Sequence, residues 1–184
     1  MQVVETQIPD VKLITPKKFG DHRGFFSETY NRKALAEAGV ELEFVQDNHS
    51  LSSEKGVVRG LHFQIPPYAQ DKLLRVVRGR ILDVAVDIRR SSPTFGQHVT
   101  AELSAENWQQ ILVPKGFAHG FITLEPDTEV IYKVTNYYAP DHDRGLLWND
   151  PALGIDWPLN GDAAILSDKD QRHPRLAELT ELFD

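Results

Sequence analysis

One stretch of the chain decides the fold prediction: Val58-Arg59-Gly60-Leu61-His62-Phe63-Gln64. Its apolar residues are typical of a β-strand, in which alternate side chains share a face. Gly60 and His62 then point to one side and Leu61 to the other. If the first side lines a cavity, His62 stands there as a candidate proton acceptor. The ordinary alternative is a buried, hydrogen-bonded histidine without chemistry.

Other short apolar or alternating segments occur on both sides of this stretch, separated by glycines, prolines and polar turns. This pattern, with little helix, predicts an all-β sandwich or barrel. Residues 73–77 and 81–88 are predicted to be strands joined by a hairpin tip at Arg78-Gly79-Arg80. Two helices are predicted: residues 32–38, between an Asn31 cap and a Gly39 stop, and residues 174–183.

Length and composition exclude several classes of function. A chain of 184 residues is expected to form one domain, over residues 1–184. The net charge of −7 disfavours nucleic acid as a partner, although a local basic pocket can still bind a small anion. The lack of cysteine removes disulfides and thiolate chemistry. No apolar run resembles a signal peptide or a membrane span, so a cytoplasmic protein is expected.

Acid–base chemistry without a cofactor is the class of reaction that these exclusions leave. The chain has no Gly-x-Ser-x-Gly elbow and no glycine-rich phosphate loop. The candidates are His62 as a base, Lys72 as a cation for a developing oxyanion, and Tyr132 as an acid. Taken singly, Tyr132 could also be a core tyrosine with a satisfied hydroxyl, and Lys72 a solvated loop lysine.

The stretch Pro114-Lys115-Gly116-Phe117-Ala118-His119 has the spacing of the second cupin motif, whose histidine is often a metal ligand. The first cupin motif needs two histidines one residue apart and a glutamate soon after. Here Phe63 and Gln64 follow His62 instead. Since a stable metal site needs three or four ligands, no metal is predicted, and His119 is expected to be a polar group at the cavity wall.

In these and further segments the chain resembles a known family, the dTDP-4-dehydrorhamnose 3,5-epimerases. The matching segments include Asp21-His22-Arg23-Gly24-Phe25-Phe26-Ser27-Glu28, Gln46-Asp47-Asn48-His49-Ser50 and residues 56–64, 70–73, 113–121, 129–138, 148–151, 155–158 and 166–170. They cover nearly the whole chain in the family's order. The resemblance implies a mainly β, cupin-like jelly-roll with a few short helices, and a helical segment at about residues 170–184 that packs on it.

The resemblance also implies the reaction, a cofactor-free inversion of C3 and C5 of dTDP-4-keto-6-deoxyglucose that gives dTDP-4-keto-L-rhamnose. His62 would remove the proton beside the keto group, and Asp170 would hold its tautomer. Lys72 would stabilise the enolate oxygen, and Tyr132 would return a proton from the opposite face. The nearest alternative is an epimerase that inverts a single carbon of a related keto sugar. Another is a non-enzymatic sugar-nucleotide- or metal-binding cupin.

Ten positions match the family's substrate contacts. They are Arg23, Phe26, Glu28, Gln46, Asn48, Arg59, His119, Tyr138, Asp143 and Lys169. Arg23 and Arg59 suit a diphosphate, and Tyr138 resembles the residue that stacks on thymine. Asp143 departs from the family, in which a glutamate is expected. The resemblance further implies a homodimer with an exchanged N-terminal strand, in which Arg23 and Glu28 would serve the partner's pocket.

The roles implied for Arg59 and His62 require an irregular backbone within residues 58–64. Arg59 and His62 have opposite parity on a strand, so a regular strand would send their side chains to opposite faces. Both can reach one pocket only if the strand twists or bulges between them.

Overall fold

The computed structural model describes residues 1–184 and contains thirteen β-strands and one α-helix. The strands are β1 (Gln2–Glu5), β2 (Lys12–Thr15), β3 (Lys18–Asp21), β4 (Gly24–Ser27), β5 (Gln46–Ser52), β6 (Val58–Gln64), β7 (Lys72–Arg78), β8 (Arg80–Asp87), β9 (His98–Ser104), β10 (Gln110–Val113), β11 (Phe117–Thr123), β12 (Thr128–Val134) and β13 (Asp143–Gly145). The α-helix is α1 (Arg32–Glu37), and the 3-10 helices are Pro140–His142, Asp170–Arg172 and Leu176–Glu178.

Two antiparallel sheets form the body of the molecule. One has six strands in the order β1-β2-β10-β7-β12-β5, and the other has five in the order β13-β6-β11-β8-β9. The main apolar core joins them, since it contains Val76 and Val130 from the first sheet and Ala85 and Phe121 from the second. The predicted mainly β, jelly-roll fold with few short helices is confirmed. A separate two-stranded hairpin, β3-β4, lies outside both sheets.

Smaller apolar clusters cover the outer faces of the two sheets. On the six-stranded side, Leu35 of α1 packs with Leu73 and Leu112. On the five-stranded side, Val84 and Val86 of β8 pack under residues from the C-terminal segment. Burying apolar surface on both faces of each sheet stabilises the sandwich.

The short helix α1 forms where the sequence predicts it. The Asn31 side chain accepts a hydrogen bond from the backbone N–H of Ala34, which satisfies one of the free donors of the first turn. Gly39 ends the helix with a φ of +84°, a left-handed conformation that glycine adopts without steric cost.

The predicted hairpin at Arg78-Gly79-Arg80 is wrong. Both flanking strands exist, but β7 pairs with β10 and β12, whereas β8 pairs with β9 and β11. Gly79, at φ +77°, is therefore the point where the chain crosses from one sheet to the other. A Cβ there would lie 2.3 Å from the Thr128 hydroxyl oxygen, so this crossing requires glycine. Local spacing alone cannot distinguish such a crossing from a hairpin turn.

The predicted continuous helix over residues 174–183 is also wrong. The segment contains only the three-residue 3-10 helix Leu176–Glu178, and Leu179 has an extended backbone with φ −69° and ψ 120°. Leu176, Leu179 and Phe183 nevertheless pack on the outer face of the five-stranded sheet. Their spacing thus reflects packing of a largely irregular segment on a sheet rather than one face of a helix.

None of the helices has the length and apolar composition needed to cross a bilayer.

Candidate active site

A cavity of about 500 Å³ opens between the two large sheets. Its walls differ in origin, because Arg59, His62 and His119 come from the five-stranded sheet and Lys72 and Tyr132 from the six-stranded one. Lys169 and Asp170 close it from the segment after residue 165. The fold therefore brings together residues that are far apart in the sequence, such as Arg59 and Asp170, which are 111 positions apart.

Strand β6 is irregular between Arg59 and His62, where their opposite parity requires a twist or bulge if both are to face one cavity. His62 pairs with His119 and Arg59 with Phe121, so the register between β6 and β11 shifts between these two pairs. Gly60 lies at the shift with φ +123°, and a Cβ on it would be 2.6 Å from the Gly120 Cα. This close contact of two glycines lets Arg59 and His62 reach the same cavity.

His62 is paired with a buried carboxylate. Its Nε2 lies 2.6 Å from Oδ1 of Asp170, which is only 4% exposed. Burial raises the pKa of Asp170, but hydrogen bonds from His173 and His62 outweigh burial and hold that pKa well below its usual range. An ionised carboxylate only accepts hydrogen bonds, so Nε2 of His62 donates, and in the neutral imidazole Nδ1 then carries no proton. The imidazole can therefore act as a base.

Lys72 stands beside this histidine at the start of β7. Its Nζ donates to the backbone carbonyl of His62 at 3.3 Å. Burial lowers the pKa of Lys72 to about 8, although Asp143 and Asp83 favour the charged form. An ammonium in this partly buried position can stabilise a developing oxyanion more strongly than it could in water.

Tyr132 comes from β12, in the sheet opposite that of His62. It pairs across the strand with Asn48, and both side chains point inward. Burial raises the pKa of Tyr132, Arg59 opposes this rise, and Asp143 adds to it. The phenol consequently stays protonated near neutral pH and can donate a proton, while Arg59 can stabilise the resulting tyrosinate.

His119 forms a second buried pair. Its Nε2 lies 2.9 Å from both carboxylate oxygens of Asp83, and both residues are buried. The structure places His119 at the cavity wall, as the sequence predicted. Asp83 was not among the predicted site residues. Its position among small and apolar residues on one face of β8 was the available signal, because a carboxylate there requires a buried partner.

Five of the predicted binding residues form a linked group beside the cavity. Nε2 of Gln46 donates to Oδ1 of Asn48 at 2.9 Å, and Oε1 of Gln46 accepts from the Tyr138 backbone N–H at 3.1 Å. The Tyr138 hydroxyl lies 3.4 Å from Asp143, which also forms an ion pair with Lys169. Oδ2 of Asp143 is thus contacted by two protein groups.

Three predicted binding residues do not reach this cavity within the chain. Arg23, Phe26 and Glu28 lie on or just after the β3-β4 hairpin. Arg23 forms an ion pair with Asp21 at 2.6 Å, Glu28 accepts a hydrogen bond from Asn31 at 2.9 Å, and Phe26 is 66% exposed.

A third histidine, His173, approaches the His62–Asp170 pair. Donor atoms of the three residues all lie within 4.8 Å of one another, which is close enough for a divalent ion. Both imidazoles already hydrogen-bond to Asp170 in the structure. The sequence analysis missed His173, which lies in a polar segment without periodicity. The expectation that the chain needs no metal stays a prediction.

Comparison with known proteins identifies the family. The family model described as dTDP-4-dehydrorhamnose 3,5-epimerase matches residues 5–178. The Shigella flexneri protein of that name is 55% identical over 171 residues, which cover 92% of this chain and 93% of the relative. The Bacillus anthracis enzyme, solved with TDP and PPi bound, is 56% identical with a TM-score of 0.92, over 95% of this chain and 98% of that one. A Legionella pneumophila dTDP-6-deoxy-D-glucose-3,5-epimerase, solved in complex with dTDP-4-keto-L-rhamnose, is 47% identical with a TM-score of 0.92, over 97% and 94% of the two chains. The chain therefore belongs to the dTDP-4-dehydrorhamnose 3,5-epimerase family.

Proposed function

We propose that this isomerase inverts C3 and C5 of dTDP-4-keto-6-deoxyglucose with its own side chains, giving dTDP-4-keto-L-rhamnose. One observation carries the mechanism: His62 and Tyr132 stand on opposite sheets across a single cavity. Inversion requires a proton to leave one face of a carbon and a proton to arrive at the other. A base alone would return the proton to the face from which it came.

In the first step, Nδ1 of His62 takes the proton from the carbon beside the C4 ketone. The C–H electron pair forms a carbon–carbon double bond, and the carbonyl π electrons move onto oxygen, giving an enolate. Asp170 stabilises the imidazolium through the 2.6 Å contact. Lys72, whose Nζ lies 3.3 Å from the His62 backbone carbonyl, supplies the positive charge for the enolate oxygen.

In the second step, Tyr132 protonates the same carbon from the opposite face. The enolate returns to the ketone and a tyrosinate forms, which Arg59 is placed to stabilise. Solvent then removes the proton from His62 and returns one to Tyr132, so the enzyme is restored without net change. C3 and C5 both flank the ketone, so one cation can serve both inversions and no cofactor is required.

The binding residues are assigned by position. Arg59 is held by Ser52 and by the Leu51 carbonyl, each at 3.0 Å, and its remaining donors suit a diphosphate. Tyr138 is 58% exposed beside the group that contains Asp143 and Lys169, where its ring is available to stack on thymine.

A homodimer completes the proposal. The hairpin exposes Phe19, Phe25 and Phe26 by 52%, 56% and 66%, an apolar surface that a second chain would cover. Entry of this hairpin into the partner's cavity would give Arg23 and Glu28 the substrate contacts that they lack within one chain. The cytoplasmic location stays a prediction.

Solvent deuterium incorporation tests the proposal. In D₂O, NMR of the product should show deuterium at both C3 and C5. Deuterium at only one carbon, under conditions where both should exchange, would indicate a single-carbon epimerase. No exchange at all would leave the non-enzymatic sugar-nucleotide- or metal-binding cupin as the better description.

The Tyr132→Phe variant separates proton removal from inversion. It should retain exchange at the carbon that His62 deprotonates but lose roughly 10²-fold in inversion rate, because the opposite-face donor is missing. Equal loss of exchange and inversion would mean that Tyr132 does not act as the separate acid.

A further inference from the structure

His173 shares a single carboxylate oxygen with the proposed base. Its Nε2 lies 3.2 Å from Oδ1 of Asp170, the same oxygen that lies 2.6 Å from Nε2 of His62. The His173 side chain is 8% exposed and is absent from the cavity lining, so it does not reach the substrate. Neither the proton transfers nor the binding contacts described above use this residue.

The His173 ring is held from several directions. It meets the His62 ring edge-to-face, with centroids 5.5 Å apart and planes at 81°. Gly145 of β13, which pairs with His62, also lies against the ring, and a Cβ on Gly145 would lie 2.2 Å from His173 Cε1. The next residue, Pro174, accepts a backbone hydrogen bond from Leu147 at 2.8 Å. The imidazole therefore fills a space that the absence of a side chain at Gly145 leaves open.

Two donors on one oxygen restrict the Asp170 carboxylate more than one donor would. Without His173, the carboxylate would be held only by His62 and by the long 3.4 Å contact from the Gly60 backbone N–H to Oδ2. The hydrogen bond from His173 is the largest contribution that lowers the Asp170 pKa, against the opposing effect of burial. The carboxylate thus stays charged and points its Oδ1 at His62, while the edge-to-face contact limits tilting of the His62 ring.

We propose that His173 is a positioning residue that holds Asp170 and the His62 imidazole in the orientation needed for proton removal. This inference rests on the proposed role of His62 as the base. It assigns His173 an effect on kcat that is transmitted through Asp170, and no contact with the substrate.

Two substitutions at His173 test the hydrogen bond that its Nε2 donates to Asp170. His173→Phe keeps an aromatic ring without the N–H, and we expect kcat to fall about 10-fold with KM within about two-fold, because misplacement of a catalytic group slows chemistry rather than binding. His173→Gln can still donate from its amide nitrogen and should recover kcat to within about three-fold of the parent. His49→Phe, at an exposed histidine that bonds to Glu129, is the matched control and should behave like the parent.

A double variant shows whether the effect passes through Asp170. Asp170→Asn should itself reduce kcat strongly, and adding His173→Phe should then cost little more, because residues that act as a unit are not additive. Gly145→Ala approaches the same question without changing a polar group. Its Cβ would displace the His173 ring, so a fall in kcat at constant KM is expected.

The inference is overturned if His173→Phe retains the parent's kcat, if His173→Gln loses as much as His173→Phe, or if the loss is undiminished in the Asp170→Asn background. Should His173→Phe fail to fold, as judged by circular dichroism, His173→Gln and Gly145→Ala decide. Failure of the underlying function has a different result, since the parent would then be inactive or His62→Ala would retain turnover.

Discussion

The cavity and the β3-β4 hairpin differ in how firmly neighbouring groups hold their predicted functional residues. In the cavity, one chain brings His62, Lys72 and Tyr132 together from both sheets and ties His62 and Lys72 to neighbouring groups. On the hairpin, Arg23 contacts only nearby Asp21, and the phenylalanines are exposed.

This difference separates the residues that transfer protons from the residues of the hairpin, whose proposed role is to bind the nucleotide. The groups that move protons must be fixed to within a fraction of an ångström, which a rigid sheet achieves. Groups that only hold the nucleotide can come from a projecting arm of another chain. Substitutions of His62, Lys72 and Tyr132 should therefore act on kcat, and those on the hairpin on KM.

The largest effect is expected for His62→Ala. Removing the base should lower kcat by at least about 10³-fold. Binding of dTDP, measured by calorimetry, should stay within about three-fold of the parent because the nucleotide contacts lie elsewhere. A product assay coupled to an NADPH-dependent 4-keto reductase measures turnover. Retained epimerisation in this variant would falsify the assignment of the base.

Lys72 should give the next largest effect and a dependence on pH. Its pKa of about 8 means that the ammonium is present below pH 8 and lost above it, so kcat/KM should fall as pH rises through about 8. Lys72→Met should lower kcat about 10²-fold at pH 7 through loss of the charge. Lys72→Arg keeps a cation that does not titrate, so a decline near pH 8 that persists in this variant would assign the titration to another group.

A smaller effect, confined to binding, is expected for Arg23→Ala. Loss of a phosphate contact should raise KM about 10-fold with little change in kcat. If Arg23 serves the partner's cavity, mixing Arg23→Ala with inactive His62→Ala chains should restore about a quarter of the parent's sites, each with its base from one chain and its arginine from the other. Unchanged kinetics in Arg23→Ala would place the hairpin outside substrate binding. A raised KM with no restored sites after mixing would place Arg23 at the cavity of its own chain.

The smallest effect is expected from chelation. Treatment with a chelator should leave turnover unchanged if His62, Asp170 and His173 act through hydrogen bonds alone. The check is turnover before and after dialysis against the chelator. An activity that falls and returns on addition of a divalent ion would instead assign these donor groups to a metal.

Sequence reasoning predicts best where a residue's neighbours along the chain determine its state. The Asn31 cap and the Gly39 stop of α1 are local features, and the structure shows both. Periodicity identifies the strands but not the strands with which they pair. For this reason the sequence predicts a hairpin at Arg78-Gly79-Arg80, where the chain in fact crosses between sheets. The choice between pairing and crossing depends on burial in two sheets, which involves residues far away in the sequence.

The same limit applies to the site. The family resemblance named His62, Lys72, Tyr132 and Asp170, and the fold brings all four to one cavity. Neither Asp83 nor His173 is named by the resemblance. The partner of Asp83 is His119, 36 residues away on a neighbouring strand. His173 is only 3 residues from Asp170, but its link to the site depends on the contact of Asp170 with His62, 108 residues away. The predicted helix over residues 174–183 is wrong for a related reason. Its apolar spacing matches a helix, but the segment packs on the sheet with a largely irregular backbone.

The contact between Gly60 and Gly120 constrains any redesign of this enzyme for other sugars. A side chain at Gly60 would strike the Gly120 backbone, and one at Gly120 would lie 2.5 Å from the Arg59 carbonyl. The wall that carries His62 thus has no room for new recognition groups at these two positions. A library aimed at new specificity should vary positions on the facing sheet, such as Ser50 and Leu74, and leave both glycines fixed.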